Sequence, residues 1–387
     1  MAEKPPTACT PQTALPIIDL TPFLPISTSL YSTPQAHLVA KLTTAAALNC
    51  ACRDVGFFYL TGHGIPEEQR RTVLKEARNW FINASKEEKE AIKRWDIGKG
   101  PGGAGDGARG YQRVGENVTG GLKDWHEAID HYRPVPPTDP PYAPIHGPNP
   151  WPSLQTHPTF KPTFESYTES CLSLGHALLR ALSLALHPSP PKEDLFIEFL
   201  HNPFWVMRII GYPPLSSSPE REGVSCGEHT DYGCITLLLA DNTRGALQVR
   251  DKNGGWINAD PLEGAYVVNI GDMLERWTNG LWESTRHRVV HGSGNYRVSV
   301  PFFFEPDWVA RIKPLECCLA QTGGVPKYDE VMYGEHLLSM VLGNFMTVPP
   351  HTPPHTPLPA IEPPRVGGEK KAPALSAEAG GVSIIIR

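Results

Sequence analysis

An α+β fold is predicted for this chain: a double-stranded β-helix (jelly roll) core, a helix-rich N-terminal part and a C-terminal helix. Three observations predict it. Apolar residues at steps of three and four mark helices in the first half, short β-rich runs with turn signals between them follow from Phe204 onward, and a helical pattern returns at Tyr328 to Phe345. The 387 residues, 40% of them apolar, suffice for one large domain or two modest ones.

The elements follow in order. Residues 1–15 form a flexible N-terminus, and 16–133 an N-terminal domain that opens with a short strand, Pro16-Ile-Ile-Asp-Leu20. A helix from Pro34 to Arg53 precedes a buried strand, Asp54-Val-Gly-Phe-Phe-Tyr-Leu60, closed by the turn Thr61-Gly-His-Gly64. Pro66 in a first-turn position opens a helix to Ile82. Residues 134–202 hold a proline-rich connection, Pro134 to Pro152, and a long amphipathic helix whose Phe164, Tyr167, Cys171, Leu174, Leu178 and Leu182 share one face.

Strands then follow at Trp205–Ile210, Cys234–Ala240, Ala246–Arg250, Trp256–Asn258, Ala265–Ile270, Ser284–Val290 and Tyr296–Phe304, within a core spanning 203–310. Residues 311–347 form a C-terminal helical segment. From Pro349 to Pro364 eight prolines fall within sixteen positions, so 348–387 is read as a disordered Pro-rich tail.

Composition excludes several classes. There are 35 basic and 41 acidic residues, a net charge of −6 with no long Lys/Arg run, so no basic face is available for a phosphate backbone and no nucleic-acid partner is expected. No apolar stretch is long enough to span a bilayer and no secretory signal opens the chain, which predicts a soluble cytoplasmic protein with no membrane partner. Eight cysteines are too few for a disulfide scaffold and are read as reduced thiols. Oligomeric state is not legible. Asn83-Ala-Ser85 and Asn117-Val-Thr119 fit a glycosylation acceptor, a frequent coincidence in a chain without a secretory signal.

Three metal-ligating residue types stand in the β-rich part. His229-Thr-Asp231 places two side chains on one face of an extended segment, because alternate strand residues point the same way. His287 follows 56 residues beyond Asp231, and ten residues later comes Arg297-Val-Ser299. Two imidazoles and one carboxylate leave coordination positions open, the arrangement that suits non-haem Fe(II) working with oxygen. His291 is a rival third ligand. A guanidinium fork beside a hydroxyl is suited to hold a carboxylate. Each piece alone has an ordinary structural reading; their joint occurrence in the order a jelly roll requires points to a site. Gly102 to Gly107 is a poor phosphate cradle, lacking the Lys-Ser/Thr ending.

At these residues the sequence resembles the isopenicillin N synthase-like branch of the 2-oxoglutarate- and Fe(II)-dependent dioxygenases. Gly227-Glu-His-Thr-Asp-Tyr-Gly233, Gly245-Ala-Leu-Gln-Val249, Val268-Asn-Ile-Gly-Asp272 and Ser284-Thr-Arg-His-Arg-Val289 are similar to its catalytic domain, and Pro16–Leu20 and Gly56–Gly64 to its N-terminal domain. The likeness covers roughly residues 16 to 345. It implies His229, Asp231 and His287 as the iron ligands, His291 being displaced because the family's histidine stands in a His-Arg-Val phrase. It implies Arg297 and Ser299, with Tyr212 as third contact, as the holders of the distal carboxylate of 2-oxoglutarate. Many plant members carry asparagine where Ile210 stands here, so that contact is lost.

The implied cofactor is Fe(II), with 2-oxoglutarate and O2 as cosubstrates and ascorbate as auxiliary reductant. The implied reaction is oxidation of a small organic molecule by hydroxylation, desaturation or cyclisation, with release of succinate and CO2. Isopenicillin N synthase itself uses the same three residue types for its peptide's carboxylate and consumes no 2-oxoglutarate, so an oxidase of that kind is the first alternative. A jelly roll that only binds a ligand is the second, and a metal hydrolase with Glu228 as base the third. Phe303 fits a family position facing substrate, and Arg109 and Tyr111 lie where N-terminal lid residues often do. The wording around Gly227 to Leu239 is similar to thymine dioxygenases and to fungal and bacterial small-molecule oxygenases, which implies nucleobase oxidation or secondary metabolism.

Overall fold

The computed structural model describes residues 14–119, 121–134, 144–187, 189–214, 224–292 and 294–345, with the backbone alone at 26–27 and 342–345. The predicted Pro-rich tail and nearly all of the predicted flexible N-terminus lie outside the described residues. Strand β1 (Ile17–Asp19) leads to helix α1 (Pro34–Asp54), β2 (Phe57–Thr61), α2 (Glu67–Asn83) and α3 (Lys86–Ala91). Short strands β3 (Gly110–Gln112), β4 (Val118–Thr119) and β5 (Leu122–Lys123) precede β6 (Glu127–Tyr132), and the long α4 (Phe160–Leu186) follows.

The strand-rich part holds β7 (Pro203–Tyr212), β8 (Cys226–His229), β9 (Ile235–Ala240), β10 (Leu247–Arg250), β11 (Trp256–Asn258) and β12 (Tyr266–Ile270). It continues with α5 (Asp272–Trp277), β13 (His287–Val289) and β14 (Arg297–Asp307), and closes with β15 (Arg311–Ile312), α6 (Glu316–Gln321), β16 (Val331–Met332) and α7 (Tyr333–Phe345). Among the described residues no helix is long and apolar enough to cross a membrane.

Helix starts follow local chemistry. Thr33 accepts from the Ala36 amide at 3.1 Å and Pro34 occupies the first turn of α1. Pro66, expected inside the first turn of α2, is instead its N-cap, and Glu67 and Glu68 face the positive end of the helix. Ser85 and Glu88 form a capping box on α3.

Two sheets make the jelly roll. The larger has eight strands in the order β1-β2-β12-β9-β14-β7-β6-β3; the smaller has four, β11-β10-β13-β8. The N-terminal strands therefore extend the larger sheet on both edges. Alternation splits that sheet's side chains into two cores. Met207, Ile209, Phe302 and Phe304 face the helices, where Phe304 packs on α4 at Gly175. Ile210, Tyr212, Leu247, Val249 and Val289 gather in the second core, between the sheets.

Several expectations are corrected in detail. Asp54 ends α1 rather than opening β2, and β8 stops at His229, so Asp231 lies in the turn beyond the strand. The expected helix from Tyr328 begins at Tyr333, after a short strand. The strands β3 to β6 and the helix α5 had no counterpart in the sequence reading. The seven cysteines among the described residues are free thiols, as expected.

Candidate active site

Register brings the metal-ligating types together. His287 opens β13 directly opposite His229, the last residue of β8, and the turn after β8 carries Asp231 back beneath both rings. Their ligand atoms all lie within 4.8 Å of one another. Asp231 Oδ1 is 3.8 Å from His229 Nε2 and 3.6 Å from His287 Nε2. Those separations suit a cation bound between the three atoms rather than direct hydrogen bonds. Asp231 and His287 are buried, and His229 keeps 26% of its side chain exposed on the side of the neighbouring pocket.

The surroundings fix which atoms face that point. His229 Nδ1 lies 2.7 Å from the Gly227 carbonyl and His287 Nδ1 lies 3.1 Å from that of Thr285. A carbonyl only accepts, so each Nδ1 donates to it and each Nε2 is the ring nitrogen left facing inward. Asp231 Oδ2 accepts from Asn269 Nδ2 at 2.7 Å and from the Thr236 hydroxyl, which leaves Oδ1 for a metal. Burial opposes ionisation of Asp231, but His287, His229 and these two donors outweigh it and hold the carboxyl below its ordinary value. Burial pushes His287 down to about 4, so its imidazole is neutral at physiological pH, as a ligand must be.

The residues expected to hold the cosubstrate's carboxylate stand on neighbouring strands. Arg297 at the start of β14 stands opposite Tyr212 at the end of β7, and Ser299 opposite Ile210, so all four share the inward face. The Arg297 guanidinium sits 4.6 Å from the Tyr212 ring centroid. Burial raises the Tyr212 phenol above its ordinary value, with Arg297 opposing, so the phenol remains a donor at neutral pH. Arg297 is 2% exposed, yet its Nε and Nη1 have no hydrogen-bond partner among the described residues. A buried cation with unspent donors is costly. A carboxylate placed there would offset its charge and accept from a donor left unspent.

A cavity of about 70 Å³ is lined by His229, Asp231 and His287 together with Tyr212, Arg297 and Ser299. A second pocket of about 120 Å³ opens beyond the metal-ligating residues. Phe303 lines both.

Arg109 and Tyr111 are not brought to this site, which corrects the expectation for them. Arg109 is spent on an ion pair with Asp106 and on the Arg133 carbonyl and Asn149, and the Tyr111 hydroxyl donates to Glu127 at 2.7 Å while its ring packs on Trp80. His291 stays outside the metal-ligating cluster, with Nε2 2.8 Å from the Asn295 carbonyl. It is buried. Glu228 is exposed. Sequence reasoning missed Asn269, Thr236, Arg208 and Asp130; of these only Asn269 stood in a quoted phrase, Val268-Asn-Ile-Gly-Asp272.

Fold and site together define an Fe(II) oxygenase of the jelly-roll type. Residues 15–154 match the family described as non-haem dioxygenase in morphine synthesis N-terminal, and residues 202–306 match the 2OG-Fe(II) oxygenase superfamily. The chain belongs to the 2OG-Fe(II) oxygenase superfamily, and it is an oxidoreductase that uses Fe(II), 2-oxoglutarate and O2 to oxidise a small molecule. Among its relatives, homoarginine-6-hydroxylase 2-ODD-C23 of Glycine max is 41% identical over 344 residues, 86% of this chain and 98% of the relative. The 2-oxoglutarate-Fe(II) type oxidoreductase ppzC of Metarhizium majus is 33% identical over 82% of this chain and 84% of its own length. The crystal structure of full-length Neurospora crassa T7H in complex with alpha-KG and thymine superposes with a TM-score of 0.69 at 28% identity, covering 85% of this chain and 96% of that one.

Proposed function

We propose that this chain is a hydroxylase of a small amino acid with a guanidine terminus, homoarginine being the substrate to test first. Likeness to homoarginine-6-hydroxylases along nearly the whole of their length supports the substrate class. In this reading His229, Asp231 and His287 hold iron through Nε2, Oδ1 and Nε2. Arg297, Ser299 and Tyr212 receive the distal carboxylate of 2-oxoglutarate, and Phe303 faces the substrate. The bound metal and cosubstrate supply the oxidant for a C–H bond, with succinate and CO2 as co-products.

This chain's own residues do the positioning. Asn269 and Thr236 orient Asp231, the Gly227 and Thr285 carbonyls set both imidazole tautomers, and the apolar walls Phe57, Leu247 and Val289 keep water from the reacting centre. One observation carries the assignment of roles. The three metal-ligating residues line the same cavity as Arg297, whose Nε and Nη1 have no hydrogen-bond partner among the described residues.

Residues 16–133 and 203–310 are read as the N-terminal and catalytic domains. Ascorbate serves to keep iron ferrous. A cytoplasmic location and a role in secondary metabolism complete the reading, and the net charge of −6 supports the absence of a nucleic-acid partner.

The test is incubation of the iron-loaded protein with homoarginine, 2-oxoglutarate and air, following succinate and the mass of the amino acid. Succinate release matched mole for mole by an added oxygen atom is expected. Succinate release with no change in homoarginine removes this substrate, and oxidation with no need for 2-oxoglutarate favours the oxidase alternative.

A further inference from the structure

Arg208 is the one Arg or Lys among the described residues that line the outer pocket, and it also lines the inner cavity with His229 and Asp231. We propose that Arg208 binds the carboxylate of an amino-acid substrate and that Asp130 is the positioning residue that aims it. This inference rests on the reading above and adds the group that orients the substrate.

The geometry is specific. Arg208 stands in the middle of β7, two and four residues before the inward-facing Ile210 and Tyr212, and directly opposite Asp130 on β6. Its Nε donates to Asp130 Oδ1 at 2.8 Å, and the other oxygen of Asp130 accepts from Gln112 Nε2 at 2.7 Å. Nη2 reaches Asn117 Oδ1 at 3.4 Å. Nη1 meets no acceptor among the described residues, although the other two nitrogens are held. A guanidinium anchored through one edge presents its remaining donors as a fork, the shape that pairs with a carboxylate in two parallel hydrogen bonds.

The charges around it favour an anion. Asp124, in the same pocket, accepts from the Gly227 amide through one oxygen and from the Thr119 hydroxyl through the other. Glu305 accepts from the Cys234 amide through one oxygen at 2.8 Å, and burial raises its carboxyl well above the ordinary value. An incoming carboxylate therefore meets a cation with unspent donors and no carboxylate with both oxygens bare. Val206, Phe303 and Leu337 supply apolar surface for a methylene chain beyond that group.

The experiment measures calorimetric binding to the protein loaded anaerobically with Fe(II) and 2-oxoglutarate. Homoarginine, arginine and lysine are compared with their carboxamides, and thymine is included. The wild type is expected to prefer an acid over its amide by roughly 10- to 100-fold, the worth of a charge-assisted hydrogen-bond pair. Arg208→Gln is expected to bring that ratio to within about 2-fold, and Arg208→Lys, which keeps the charge without the fork, to an intermediate value. Asp130→Asn is expected to shrink the ratio while raising KM more than it lowers kcat.

A ratio near one in the wild type, an unchanged ratio in a folded Arg208→Gln, or binding of thymine with none of the amino acids overturns the proposal. If Arg208→Gln fails to fold, an Arg208→Lys ratio equal to that of the wild type overturns it instead. Discrimination shown with arginine or lysine but not homoarginine leaves this inference standing and removes the substrate named above.

Discussion

Asn269 Nδ2 donates to Oδ2 of Asp231 at 2.7 Å, on the side of the carboxylate turned away from the two imidazoles. The bond fixes which oxygen faces the metal position. Asn269→Ala is therefore expected to lower Fe(II) affinity by about 10- to 100-fold with a small change in Tm. Competition with a chelator under argon checks this, and unchanged affinity would show that Thr236 alone orients the carboxylate.

His229→Ala and Asp231→Ala are both expected to abolish iron binding, with different effects on the fold. His229 ends a strand and is partly exposed, so its loss changes Tm little. Asp231→Ala strands the Asn269 and Thr236 donors in a buried site, at a cost of about 1–3 kcal/mol for each. Urea denaturation of the metal-free variants separates the two; equal midpoints contradict it.

Arg297→Ala removes the guanidinium that lines the cavity together with Tyr212 and Ser299. The concentration of 2-oxoglutarate needed for half-maximal turnover should rise about 100-fold, because a buried charge-assisted pair is lost. An unchanged requirement would mean that the cosubstrate's carboxylate is held elsewhere.

His131 gives the stability a pH dependence. Burial, opposed by its contact with the Pro150 carbonyl, lowers its pKa to about 4, and its Nδ1 has no partner among the described residues. The unfolded chain takes up this proton near pH 6.5 and the folded one only near 4, so between those values the unfolded state binds more protons. Stability contributed by the neutral ring is complete above about 6.5 and is lost as pH falls toward 4, by on the order of 3 kcal/mol. His131→Gln should flatten this part of the urea-midpoint profile of the metal-free protein. A slope equal to that of the wild type removes His131 as its source.

Gly175 lies where α4 crosses β14, and a Cβ there would sit 2.3 Å from the Phe304 ring. Gly175→Ala should destabilise the fold by about 1–3 kcal/mol through overpacking, against the gain in helix propensity. A Tm at or above that of the wild type would show that Phe304 relaxes.

What the sequence disclosed depended on whether chemistry was written locally. His229 and Asp231 stand two apart, Arg297 and Ser299 likewise, and the phrases around them were legible. Asn269, Thr236, Arg208 and Asp130 reach the site through cross-strand register, which no local pattern shows. Strand β6 was hidden for a physical reason. Glu127-Ala-Ile-Asp-His-Tyr132 reads as a polar surface segment, yet all six residues are buried. Their charges are met from other strands and helices, Glu127 by Lys89 and Tyr296, and Asp130 by Arg208 and Gln112. Arg109 and Tyr111 were misassigned for the same reason, because partners distant in sequence already occupy their polar groups.

The central claim is that His229, Asp231 and His287 hold one ferrous ion beside a carboxylate clamp built on Arg297. Anaerobic titration of the protein with Fe(II) and then 2-oxoglutarate, followed by visible absorption, tests it most directly. A charge-transfer band that needs both additions, saturates at a single equivalent of iron and vanishes in Asp231→Ala and His287→Ala is the predicted result. No band in the wild type, or a band that persists in both variants, contradicts the claim.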